Sequence, residues 1–251
     1  MDLIGLINQI LSKVKEYGGN NVYSSTDIKH RKPLISKKAN ERTNIQSLKE
    51  KIGALTKQAN QSLIEAVFAF AKTIELKDHY TGEHTERTVR YATEVAITLN
   101  LPKDDIEHIK LASMLHDLGK IGISEKILLK KSKLTKREFD EIKRHPQIGV
   151  DIIRPIQFFH GIIPLILYHH ERWDGTGYPD GLKGEEIPVG ARIVAIADVY
   201  QALTSDRPYR KAYPKDEAMK IIKNSSGAQF DPQVVNTFLK ILQGKKQVLG
   251  R

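Results

Sequence analysis

The chain has no cysteine among its 251 residues. That excludes disulfides, thiolate metal sites and thiol nucleophiles together. It fits a reducing compartment, and a cytoplasmic location is expected. Long apolar runs are also missing. The best candidate, residues 63–71, is short and interrupted by Glu65, whereas a membrane span needs about 20 apolar residues, so no transmembrane segment is expected. The N-terminus lacks the cationic start, apolar block and small-residue cleavage site of a secretory signal. Strand-like alternation is nearly absent, and no repeat of fixed period occurs. Negative charge is in deficit: 40 Lys and Arg stand against 30 Asp and Glu, a formal charge of +10. Of that excess, +6 lies in residues 1–60. A nucleic-acid-binding domain concentrates its cations on the folded unit. The distribution here favours a solvated basic leader over a specific nucleic-acid partner, with contact to an anionic surface as the sharper alternative.

What remains is helical. Leu3, Ile4, Ile7, Ile10, Leu11 and Val14 are spaced for a short amphipathic helix ending near Gly18-Gly19. So short a helix needs support: from the main domain, a second subunit or a membrane surface. Residues 18–45 read as a polar, basic linker. Helical pattern resumes near Ile45, with Leu55, Ala59, Leu63, Val67, Phe70 and Ile74 forming one apolar face. Thr135 and Glu138 have capping-box spacing. Pro188, Pro214 and Asp231-Pro232 mark three further helix starts, the last helix running through Leu242. The fold class expected is all-α, a helical bundle with an N-terminal helix and linker. Residues 1–50 form the appendage and 51–251 the main domain.

Nine histidines occur. Single histidines usually lie on surfaces or in satisfied cores, so their settings decide. An apolar segment, residues 111–115, runs directly into His116-Asp117. Burying both groups at a helix end is costly unless something pairs with them, and a divalent cation would. Asp198 stands within the apolar stretch 193–199 and poses the same problem; the alternative partner is a buried arginine such as Arg192. His145 precedes Pro146, which disfavours α-conformation before it and can open a helix. His169 and His170 are neighbours and would diverge by about 100° on a helix. Both reach one cluster only at a helix end or in an irregular turn.

His116-Asp117 resembles the signature of the HD superfamily of metal-dependent phosphohydrolases. The stretch His169-His170-Glu171-Arg172-Trp173-Asp174-Gly175-Thr176-Gly177-Tyr178-Pro179-Asp180-Gly181 is similar to that of the HD-GYP cyclic-di-GMP phosphodiesterases. The likeness covers most of residues 75–245, in order. It includes Thr81-Gly82-Glu83-His84, His145-Pro146 and the segment 196–210. A bare His-Asp pair is weak evidence; the ordered set is specific.

The resemblance implies an HD-type helical bundle and seven metal ligands: His84, His116, Asp117, His145, His169, His170 and Asp198. Asp117 would bridge two divalent ions, iron or manganese before zinc, since no thiolate is available. Asp117 and Lys120 would be the catalytic pair. Lys120, Asp78, Tyr178, Arg207 and Arg210 would hold the substrate. Guanidinium forks suit phosphate, although an ion pair with Asp206 is the plainer use of Arg207 and Arg210. Some family members place a glutamate four residues before the first ligand histidine and bind a third metal. Tyr80 stands there, so two metals are expected. The implied reaction is hydrolysis of cyclic di-GMP to pGpG, and onward to GMP. Competing readings are another HD phosphohydrolase, acting on cyclic GMP-AMP or (p)ppGpp, and a module that senses the dinucleotide. A homodimer through the N-terminal helices is also expected.

Overall fold

The computed structural model describes residues 34–77, 84–130, 132–206 and 210–249, with side chains undescribed at 34–43, 74–77 and 245–249. The proposed helix at residues 3–14 and the linker up to residue 33 lie outside the described residues. The chain divides into two compact units, Met1–Gln61 and Ser62–Arg251.

All regular structure among the described residues is helical, as expected from the missing alternation. The helices are α1 (Leu34–Lys77), α2 (His84–Thr98), α3 (Lys103–Leu115), α4 (Glu125–Leu128), α5 (Lys136–Ile142), α6 (His145–Ile153), α7 (Ile163–Leu167), α8 (Val189–Leu203), α9 (Lys215–Asn224) and α10 (Pro232–Leu249). Short 3-10 turns span Leu118–Gly122, Gln157–Ile162 and Gly184–Glu186.

Three expectations need correction. Residues 34–45 are helix, not linker. Lys37, Lys38, Ala39, Glu41 and Arg42 are good helix formers, and elongation is inexpensive once a helix is nucleated. The apolar face of α1 also differs. Leu63, Ile64, Val67 and Ala71 pack into a core, whereas Leu55 and Phe70 are exposed. At about 100° per residue the packed stripe runs from Leu63 through Val67 and Ala71 to Ile64, and Phe70 lies at its outer edge, about 20° beyond Leu63. The last helix continues beyond Leu242 to Leu249.

The helix-start signals acted as read. The Glu138 N–H donates to the Thr135 hydroxyl at 3.3 Å, and the Thr135 N–H donates to the Glu138 carboxylate at 2.7 Å. Pro188 and Pro214 occupy the caps of α8 and α9, and Pro232 opens α10.

Two apolar cores fill the second unit. One joins α2, α8, α9 and α10 around Tyr91, Ile196, Tyr200, Ile222 and Phe238. The other joins the end of α1 to α3, α6 and α7 around Leu115, Val150, Phe159 and Ile166. Helices α3 and α8 serve both. Ile109 and Ile193 face the first core, while Ala112 and Val194 face the second. Fully buried Ala92, Ala96, Ala112 and Ala197 let backbones approach closely. The two shared helices therefore form a stiff central wall, and polar groups carried at its edge are held by apolar packing on both sides.

Candidate metal centre

Helix ends supply most of the polar groups. His116 and Asp117 directly follow α3, His145 opens α6 just after α5, and His169 and His170 lie in the turn after α7. The neighbouring histidines thus take the irregular-turn arrangement, with ring centroids 4.0 Å apart. His84 opens α2, and Asp198 lies within α8.

These seven side chains meet. His84, His116 and Asp117 offer ligand atoms that all lie within 4.8 Å of one another, and so do His145, His169 and His170. Asp117 links the two groups. Its Oδ2 is 3.5 Å from His116 Nε2 and its Oδ1 is 3.5 Å from His145 Nε2. Asp198 Oδ1 joins the first group, 3.5 Å from His84 Nε2 and 3.7 Å from His116 Nε2. Arg192, the alternative partner for Asp198, pairs instead with Asp231 at 2.8 Å.

Three of the histidines are oriented alike. The Nδ1 atoms of His116, His145 and His169 lie 3.0, 2.8 and 2.7 Å from the carbonyls of Ser113, Ile142 and Ile166. Each carbonyl is three residues earlier, in the last turn of the preceding helix, where acceptors lack helical partners. A carbonyl only accepts, so Nδ1 carries a proton in each, and in the neutral ring Nε2 presents its lone pair inward. That is the tautomer a metal-ligating imidazole needs, fixed by an outer hydrogen bond. His116 Nε2 is buried without a hydrogen-bond partner. Inward lone pairs, two carboxylates and an orphaned buried nitrogen fit divalent cations with nitrogen and oxygen ligands.

Charge is unevenly placed. Burial disfavours ionisation of Asp117, but Lys120, His116 and His145 outweigh it and hold the carboxyl well below its usual range. Lys120 Nζ donates to Asp117 Oδ2 at 2.8 Å. Burial also presses His116 down, yet Asp117 and Asp198 raise it to about 9. Burial, with His116 and His145 nearby, lowers His169 to about 3. His145 and His170 are lowered too, mainly by burial.

The loop after the histidines folds back on them. The Tyr178 ring stacks on His170 with centroids 4.8 Å apart, and burial raises its phenol pKa. Gly175 and Gly181 adopt positive φ, +81° and +72°, and a side chain on Gly177 would strike the Glu171 and Arg172 backbone. The residue that secures this loop was not among the sequence candidates. Buried Glu171 accepts the Asp180 and Gly181 N–H groups on Oε1 at 2.8 and 2.9 Å. Its only sequence signal was its place next to the histidine pair.

Arg210 is engaged outside this cluster. Arg210 donates to the carbonyls of Ala202, Leu203 and Lys211, and Asp206 pairs with Lys211, not Arg210. Asp78, Tyr80 and Arg207 fall outside the described residues.

The chain is 40% identical over 207 residues to the cyclic di-GMP phosphodiesterase response regulator RpfG of Xanthomonas campestris pv. campestris, covering 82% of this chain and 55% of that protein. It is 39% identical over 208 residues to a cyclic di-GMP phosphodiesterase of Thermotoga maritima, covering 78% and 56%. A 3'3'-cGAMP-specific phosphodiesterase 3 of Vibrio cholerae is 36% identical over 176 residues, covering 70% and 38%. The chain spans about half the length, or less, of these curated relatives. Among solved structures, a cyclic GMP-AMP-specific phosphodiesterase of Vibrio cholerae, V-cGAP3, aligns with a TM-score of 0.58 at 20% identity, covering 75% of this chain and 50% of that one. Bd1817 of Bdellovibrio bacteriovorus aligns with a TM-score of 0.54 at 22% identity, covering 64% and 51%. At such identities the structures speak for the fold alone. A family model described as HD domain matches residues 69–234. That span takes in the His-Asp pair and all five other residues gathered around it, and the chain belongs to the HD domain family.

Proposed function

We propose that this protein is a metal-dependent phosphodiesterase that hydrolyses cyclic di-GMP to pGpG, and then to GMP. The observation that carries the reading is the pairing of two ligand groups through one carboxylate, Asp117, with the facing imidazoles already oriented by helix-end carbonyls. In this proposal His84, His116, Asp117 and Asp198 hold one ion, and His145, His169, His170 and Asp117 hold the other. Iron or manganese is preferred, with zinc third, because the donors are imidazole and carboxylate. Two bound divalent ions supply positive charge to the phosphoryl oxygens and acidify a water for attack on phosphorus.

The protein's own residues do the rest. Asp117 fixes the spacing of the two groups. Lys120, bonded to the Asp117 carboxylate, stands where it can neutralise charge gathering on the phosphate or pass a proton to the leaving oxygen. Tyr178 walls the site over His170, and its raised pKa keeps the phenol a hydrogen-bond donor at neutral pH. Asp78 and Arg207 complete the substrate contacts of the proposal, with Arg210 contributing only the guanidinium protons left by its three carbonyl bonds. Cyclic GMP-AMP is the second substrate reading, supported by the Vibrio cholerae relatives named for it.

The catalytic domain in this reading is residues 51–251, with 1–50 as the appendage. We also propose a homodimer through the N-terminal helices. Ile45, Leu48, Ile52 and Leu55, all more than half exposed, alternate at three- and four-residue spacing on α1, the a/d pattern of a coiled-coil seam. No helix among the described residues is long and apolar enough to cross a membrane, and we assign the protein to the cytoplasm.

The test is turnover of cyclic di-GMP by anaerobically purified protein with Mn²⁺ or Fe²⁺, alongside elemental analysis. Turnover abolished by a chelator, with about two metals per chain, is the expected result. Full turnover after complete metal removal overturns the mechanism, and about three metals per chain overturns the two-ion centre.

A further inference from the structure

The short helix α5 fully buries none of its side chains, yet it is fastened at both ends. The Thr135–Glu138 capping box closes its start, and Lys130 donates to both Glu138 oxygens at 2.8 and 2.7 Å. Its last turn supplies the Ile142 carbonyl that orients His145. One turn before Ile142 stands Phe139, with 45% of its surface exposed. A lone exposed apolar side chain is ordinary. Phe139 is also the fourth residue of α5, where an apolar side chain can staple a helix start to a residue such as Leu134.

Its neighbours across the fold give the ring a further use. The Phe139 and Tyr178 centroids are 6.5 Å apart with 82° between planes, an edge-to-face pair. Tyr178 in turn stacks on His170, with centroids 4.8 Å apart and 27° between planes. Three rings therefore run outward in succession from a candidate metal ligand to solvent. Lys143, one turn after Phe139, places Nζ 4.9 Å from the Phe139 centroid and 5.9 Å from that of Tyr178. Asp140 accepts from the same ammonium at 3.3 Å in an exposed pair, so Lys143 steadies the two rings and brings no uncompensated charge. With all these contacts in place, nearly half of Phe139 is still open. An open aromatic surface beside a phosphate-cleaving centre suits a nucleobase, because every base has a π-face to stack.

We propose that Phe139 is the stacking platform for a purine base of the substrate and extends the wall formed by Tyr178. This rests on the cyclic-dinucleotide reading above. The base belongs to the nucleotide whose phosphate meets the His145, His169 and His170 group. Helix α5 carries both the ring and the carbonyl behind His145, so it sets base and ligand in one register. Stacking tolerates either purine, so Phe139 serves cyclic di-GMP and cyclic GMP-AMP alike.

The test uses the whole chain with Mn²⁺ and two variants. Phe139→Leu keeps an apolar residue at the helix start, and Phe139→Tyr keeps the ring. Circular dichroism, Tm and metal content confirm the fold and the centre. Loss of one stacked base predicts a KM for cyclic di-GMP raised roughly tenfold in Phe139→Leu, with kcat unchanged and KM restored in Phe139→Tyr. An unchanged KM in Phe139→Leu overturns the platform. A loss confined to kcat, or one that Phe139→Tyr fails to restore, overturns it as well and marks a packing role. If wild type cleaves no cyclic dinucleotide, the substrate reading fails, and turnover of bis(p-nitrophenyl) phosphate shows whether the metal chemistry fails with it. Calorimetric titration of GMP then decides the platform by itself. A Kd roughly tenfold weaker in Phe139→Leu than in wild type sustains it, whereas equal values, or no binding to wild type, overturn it.

Discussion

The two halves of the candidate metal centre offer similar donors on different electrostatic terms. His84 and His116 face two carboxylates, Asp117 and Asp198. In the other half, His145 lies against Asp117, and His169 and His170 lie mainly against other imidazoles. Burial penalises a protonated ring in both. Only at His116 do the acids overcome it, raising the group to about 9, whereas His169 falls to about 3. A cation entering the first half would have to displace a proton at neutral pH, whereas one entering the second would meet neutral nitrogen. Similar geometry therefore conceals two kinds of site, and ligand identity alone would have missed the difference.

Both halves share Asp117. Asp117→Ala is expected to reduce turnover to below about a thousandth and to empty both halves, as measured by turnover and elemental analysis. Retained metal in either half would mean that Asp117 does not join them. Gly119→Ala is next. Gly119 lies against α6, where a Cβ would overlap the His145 carbonyl, so this glycine lets the halves approach. A loss on the order of 3 kcal/mol in denaturant unfolding is expected. The halves are separated by His169→Ala and His84→Ala, each expected to lower metal content by about one ion per chain, where loss of both from either change would show strict coupling.

Glu171→Gln should spare the metal but loosen the loop, lowering kcat/KM about tenfold; unchanged kinetics would make the clamp irrelevant. The smallest effect is in pH. Without metal, the unfolded histidines titrate near 6.5. The raised His116 contributes stability that is complete below that pH and lost as pH rises through about 9. The lowered His169 costs stability progressively as pH falls from 6.5 towards 3, because the unfolded chain binds protons that the folded chain refuses. Thermal unfolding in chelator should give a Tm maximum near 6.5, and a flat profile would remove the asymmetry.

Much of this was legible in advance because it is local. The capping box at Thr135, the helix starts at Pro188, Pro214 and Pro232, and the apolar setting of His116 and Asp198 all follow from near neighbours in sequence. The convergence of seven distant side chains was legible only through the ordered motif, since spacing cannot place His84 beside Asp198. Other features depend on tertiary choices. Asp198 and Arg192 share a helix, yet Arg192 turns to Asp231. Arg210 carries the fork suited to phosphate but spends its donors on carbonyls. The early start of α1 was hidden because no apolar stripe marked it. Glu171 went unnoticed because its partners, two backbone N–H groups nine and ten residues away, leave no trace in side-chain pattern.

The carbonyls behind His116, His145 and His169 tie the centre to the places where three helices stop. Each ring is aimed by a fixed count of three residues from its acceptor. Inserting one uncharged residue between acceptor and histidine would swing that ring through about 100° while leaving the charge and every donor in place. Length variation in these three joints should therefore be far less tolerable than in the surface connections, and the spacing itself serves as an alignment gauge for the chemistry.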